Sequence, residues 1–170
     1  MPAPTALQRA ARLGLTAAAS AAFIAPLLTR ITLGHAFFLT GRGKLANFDT
    51  TVEFFASQNI PLPALNAAFV SRLEYYGGIL LVLGLLTRIV SVLLASTMVV
   101  ALLTERAHFF ESWKPTGDIG PMDIASWVFL LLLAWLVLYG PGLVSLDHFL
   151  ARWLGLRGEE TPPAPARKAA

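Results

Sequence analysis

The chain has 170 residues, 56% hydrophobic and only 14% charged, with a mean hydropathy of +0.65 and a formal net charge of +3. Soluble domains run at about 45–50% apolar and about 25% charged, so this balance points to a membrane protein with no room for a large soluble domain beside its spans. The small net charge gives no case for nucleic acid as a partner, and the absence of cysteine excludes disulfides, thiolate metal sites and thiol exchange by the chain itself.

In chain order, residues 1–24 place Arg9 and Arg12 ahead of an Ala-rich apolar run. The outline is that of a signal peptide. The run is rich in Ala rather than Leu, however, and another apolar helix follows at once, so the expectation is a cytoplasmic juxtamembrane segment. Pro26 separates it from, or kinks it into, the first span. A membrane domain over 25–155 then carries spans at about 25–45, 64–86, 89–110 and 122–139. Each is close to the roughly 20 residues that a helix needs to cross a bilayer core. The implied fold class is an all-α membrane protein, a four-helix transmembrane bundle.

The connections add detail. In "NFDTTVEFFASQNIPLP", Thr50 and Glu53 have capping-box spacing, which predicts a short interfacial helix ended by Pro61 and Pro63. The link at Leu86-Thr87-Arg88 is short enough to make spans two and three an antiparallel hairpin. Pro121 is placed to open span four, with Asp123 near its positive end. "GPG" at 140–142 stops that span. Ser145 can then cap a C-terminal amphipathic helix bearing Leu146, Phe149, Leu150, Trp153 and Leu154. The small, charged, Pro-rich stretch 156–170 has the composition of a disordered tail. Lys and Arg are more numerous on the side that holds both termini, which places both in the cytoplasm of a multi-pass protein.

A charge inside a span costs about 2.5–3.5 kcal/mol on insertion scales and therefore calls for a partner. Arg30 and His35 on span one, with Arg72 and Glu74 on span two, raise that question. Counting about 1.5 Å per residue from opposite faces puts Glu74 level with His35 and within one turn of Arg30. Arg72 points away and can snorkel. Gly34 and Gly41 on span one, and Gly77, Gly78 and Gly84 on span two, form small-residue stripes through which the helices can approach closely. Arg30, His35 and Glu74 are therefore the candidate intramembrane polar or ligand site. A purely structural ion pair between Arg30 and Glu74 remains the alternative. Glu105 and His108 share a helical face as Glu-x-x-His, a spacing used in di-iron bundles. One copy near a membrane end is read as a hydrogen-bonded polar pair, not as a metal site.

These residues resemble the DoxX/DoxD family of small bacterial integral membrane proteins. The resemblance covers about Pro26 to Trp153 and rests on Arg30, Gly34, Gly41 and Lys44, on "NIPLP", on "LEYYGGILLVLGLLTR" with Gly77, Gly78, Gly84 and Arg88, and on "YGPGLVSLD" with Gly140, Pro141, Gly142 and Asp147. It implies a four-helix protein of the bacterial inner membrane associated with redox work. One branch looks like a subunit of thiosulfate:quinone oxidoreductase, and another like a membrane partner in thiol and oxidant defence complexes. Lacking cysteine, this chain is left with quinone as candidate cofactor, lipid and a redox protein as candidate partners, and a homo-oligomer as a compatible state. Its expected role is a membrane subunit or anchor, non-catalytic or co-catalytic, for an oxidoreductase. A small proton-coupled carrier and a purely structural assembly factor are the alternatives.

Overall fold

The computed structural model describes residues 15–16, 21–114 and 119–155. Most of the expected juxtamembrane segment and all of the expected tail over 156–170 lie outside them. Among the described residues the chain is all-α: α1 (Ile24–Ala46), α2 (Phe48–Ser57), α3 (Pro63–Leu83), α4 (Thr87–Thr104), α5 (Arg106–Glu111), α6 (Ala125–Tyr139) and α7 (Leu146–Trp153), with a 3₁₀ turn at Pro121–Asp123. The long helices α1, α3, α4 and α6 lie side by side. α1 packs on α3 and α6, and α4 packs on α3 and α6, while α2 rests against α3.

Local chemistry explains most boundaries. Pro63 sits in the first turn of α3, where its missing N–H costs nothing. Gly84, at φ +68°, ends that helix, with its N–H bonded to the Leu81 carbonyl and the Leu85 N–H to Leu80. This is the left-handed stop that glycine makes easily. Gly140 (φ +89°) ends α6, and the Ser145 hydroxyl accepts from the His148 N–H at 3.1 Å to start α7.

Three expectations need correction. Thr50 and Glu53 do not cap α2, which starts at Phe48 without a side-chain cap. Its first turn is instead tied to α1 through Thr51, whose hydroxyl donates to the Asn47 and Lys44 carbonyls. Span three is not continuous to 110, because the backbone leaves helical geometry at Glu105 (φ −97°, ψ 14°) before α5 begins. Pro121 opens the 3₁₀ turn rather than α6. There the Asp123 carboxylate accepts from the Gly120 N–H at 2.7 Å.

The core is a layer of Leu33, Phe37, Leu81, Val90, Leu94, Leu133 and Leu136. Phe37 and Phe129 bring α1 and α6 together with ring centroids 5.4 Å apart. The outward faces are apolar too: Leu28, Ile31 and Leu39 on α1, Val92, Leu93 and Val100 on α4, and Leu131, Trp135 and Leu138 on α6. Helices apolar on every side suit hydrocarbon rather than water as solvent. Among the described helices, α4 is the one both long and apolar enough to qualify as a span by composition alone; α6 is apolar but has 15 residues. α1 (23 residues) and α3 (21 residues) have the length, but they carry the charged groups.

Candidate functional site

Glycine sets the register of α1 on α3. A side-chain carbon added at Gly34 would sit 2.6 Å from the Gly78 carbonyl oxygen, and one at Gly41 would run into the backbone of Glu74 and Tyr75. Gly34, Gly41 and Gly78 are therefore where two backbones touch. Gly77 faces Val90 and Leu94 of α4 instead, and Gly84 faces Arg30 and Ser145. The expected glycine stripe on span two is thus divided among three neighbours.

This register puts Glu74 beside Gly41 and not beside His35. In this register α3 starts beyond the end of α1, so the two helices are displaced along each other, with α2 packed against α3. Matching depths from opposite membrane faces assumes level helix ends, and these are not level. Arg30, His35 and Glu74 are consequently not brought together. His35 is exposed on the outside of α1, Arg30 lies toward the α3–α4 turn, and Glu74 lies toward α2. The partner of Glu74 is Lys44, whose ammonium donates to both carboxylate oxygens at 2.6 and 2.7 Å. Arg72 is exposed and bonds back to the Ala68 carbonyl. Lys44 entered the sequence analysis only as a motif position, yet its spacing of three from Gly41 and seven from Phe37 puts it on the same stripe of α1. Its membership of the stripe that faces α3 was the signal for the pair.

The Glu74 side chain is 1% exposed and that of Lys44 32%, so the pair has one buried and one accessible member. It forms part of the wall of a cavity of about 560 Å³ between α2, α3 and α4. Phe54, Phe55, Phe69, Val70, Met98 and Ala101 supply the apolar lining. Asn59, Asn66, Ser96, Thr97, Thr104 and Glu105 supply the other polar groups. An enclosure of this kind, apolar with a few placed polar groups, is how small-molecule sites are built, typically at about 300–1,000 Å³. Glu105 thus belongs to this cavity. It ends α4 and caps the start of α5, its carbonyl accepting from the Phe109 N–H at 3.0 Å, while His108 lies within α5; among the described residues no hydrogen bond joins the two side chains.

The opposite end is organised around backbone. Asp147, at the start of α7, accepts from the Leu86 N–H at 2.7 Å and the Thr87 N–H at 2.9 Å, and its own N–H donates to the Gly84 carbonyl at 3.0 Å. The turn places Leu86 at φ +52°, a left-handed conformation costly for a leucine, and the carboxylate holds it there. Asp147 therefore caps α4, a helix some sixty residues away in sequence, rather than only its own. Arg30, 1% exposed, donates through Nε to the Pro26 carbonyl at 3.3 Å and through Nη2 to the Val144 carbonyl; its Nη1 is buried without a partner among the described residues. Gly84 has no side chain because the Arg30 guanidinium fills that space, and Gly142 (φ +76°) packs on Pro26.

The two clusters together account for the sequence pieces that looked like a motif. The family model described as DoxX matches residues 25–107. The chain is 36% identical over 131 residues to "Putative oxidoreductase CatD" of Bacillus subtilis (strain 168), covering 75% of this chain and 87% of that protein. It is also 36% identical over 131 residues to "Inner membrane protein YphA" of Escherichia coli (strain K12), covering 72% of this chain and 87% of the relative. No solved structure matches it.

Proposed function

The chain belongs to the DoxX family, and from that premise we propose that it is a multi-pass inner-membrane subunit that serves a redox partner by holding a lipophilic quinone beside Lys44 and Glu74. In this reading α1, α3, α4 and α6 are the spans of a four-helix transmembrane bundle. Both termini and the α3–α4 turn face the cytoplasm, as the distribution of Lys and Arg favours. The membrane domain runs over 25–155. One relative's name points to the inner membrane and the other's to oxidoreductase work.

The observation that carries the proposal is the ion pair in the wall of the apolar cavity. A buried pair that only fixed helix register would be redundant here, because Gly34, Gly41 and Gly78 already meet α1 and α3 backbone to backbone. The residues also fit the group. Phe54, Phe55 and Phe69 offer apolar faces to a ring, and Lys44 is the accessible donor for a carbonyl oxygen. A bound quinone supplies two-electron, two-proton carrier chemistry. The chain's part is to bind and orient: Lys44 donates, Glu74 holds Lys44 in place and can accept a proton, and the aromatic residues exclude water. Electrons come from or go to the partner.

The test is a titration of ubiquinone into the full-length protein in nanodiscs. A charge-assisted hydrogen bond from Lys44 to the quinone is worth about 1.5–3 kcal/mol, and Glu74→Gln, which removes the carboxylate that holds Lys44 in place, should forfeit much of it and weaken binding about tenfold. Unchanged affinity in the variant, or no binding by the wild type, would refute the site.

A further inference from the structure

The cavity at the α3–α4 turn suggests a second ligand. It has a volume of about 780 Å³ and lies between the start of α1, the turn itself, the 140–143 loop and α7. Phe23, Leu86, Ile89, Tyr139 and Leu143 give it apolar walls, and Arg88, Asp147 and His148 its ionisable groups. Both Asp147 oxygens are already taken by the Leu86 and Thr87 N–H groups. Arg88 differs: it is exposed, and among the described residues its guanidinium has no salt bridge and no hydrogen bond. Gly140 leaves room for it, since a side-chain carbon there would lie 3.2 Å from Arg88 Nη2 and 3.3 Å from Nε.

The cavity thus presents a free planar fork of donors above an apolar floor. α7 sets its depth. That helix carries exposed Phe149, Leu150 and Trp153 together with Arg152, the pattern of a helix lying in the membrane interface. A second hollow of about 440 Å³, lined by His148, Phe149, Arg152 and Trp153 among others, adjoins it along the same helix.

We infer that this cavity is a binding site for the headgroup of an anionic glycerophospholipid, with the phosphate on Arg88 and the first acyl carbons against Leu86, Ile89 and Leu143. Charge complementarity selects the occupant. A guanidinium fork matches a phosphate bidentately, and the adjoining apolar surface matches what is covalently attached to a lipid phosphate but absent from a free one. The site is separate from the Lys44–Glu74 cavity and stands whether or not that cavity holds quinone.

The experiment is native mass spectrometry of the full-length protein released from nanodiscs of equal phosphatidylcholine and phosphatidylglycerol. The wild type should retain phosphatidylglycerol in preference. Arg88→Gln should reduce that preference about fivefold, in line with one interfacial arginine, and Arg88→Lys, which keeps the charge but not the fork, should fall between the wild type and Arg88→Gln. Arg72→Gln, which alters an exposed arginine at the other end, should leave it unchanged, as should added inorganic phosphate. Equal retention of the two lipids by the wild type would overturn the inference without reference to any variant. So would a preference that survives Arg88→Gln or falls equally in Arg72→Gln. Displacement of the lipid by inorganic phosphate would assign the site to a free anion instead.

Discussion

The two ends of the molecule each bury one charged side chain to 1% exposure, Glu74 toward α2 and Arg30 toward the α3–α4 turn, and they treat it differently. Arg30 is spent on backbone. It holds the Pro26 and Val144 carbonyls while Asp147, its neighbour in charge, holds the turn between α3 and α4. Among the described residues the Glu74 carboxylate makes no hydrogen bond to backbone. Its partner is another side chain, and the pair fronts a cavity. A charge that closes backbone cannot be released without opening the fold. A charge paired side chain to side chain beside open space can exchange partners, so the α2 end is where chemistry is available.

Substitutions can break this contrast in graded steps. The largest effect is expected for Lys44→Met, which strands a buried carboxylate and should cost about 3 kcal/mol or more in denaturant unfolding in micelles. Adding Glu74→Leu should recover most of that loss, because replacing a buried pair by apolar groups is often near neutral. A double variant as unstable as the single one would make the pair structural. Next is Gly41→Val, whose side chain meets α3 backbone and should cost about 1–3 kcal/mol by the same assay, with quinone affinity falling as the pair is displaced.

Asp147→Asn at the turn end should cost about 1–2 kcal/mol, the value of a helix cap, and leave quinone affinity intact. If it abolished quinone binding, the two ends would not be independent. The smallest effect is expected for Gly43→Ala. Gly43 lies within α1 and nothing lies within 4 Å of an added methyl, so the change should stabilise by about 0.5–1 kcal/mol. Destabilisation there would imply a contact on that face of α1.

How far the sequence could be read follows the same division. That Glu74 is buried and paired could be read from one carboxylate in an oily stretch, because the penalty for leaving it alone is large. That its partner is Lys44 could not be read from depth counting, because the offset between α1 and α3 follows from which backbones meet at Gly34, Gly41 and Gly78 rather than from level helix ends. Ser145 as a cap was legible, being a local hydrogen bond within one turn. Asp147 as the cap of α4 was not, since the bond links two segments that only the folded loop brings together. The glycines were legible as sites of close approach. Which neighbour each one meets was not: Gly77 and Gly78 are adjacent in sequence and face different helices.

The central claim, that ligand chemistry resides at the α2 end, is tested most directly by a photoreactive azidoquinone. After illumination of the full-length protein in nanodiscs, the account predicts labelled peptides from α2, the first half of α3 and the last half of α4, around Phe54, Phe69 and Met98, and loss of that label in Glu74→Gln. Label confined to the α3–α4 turn and α7, or label at the α2 end that Glu74→Gln does not change, would contradict it.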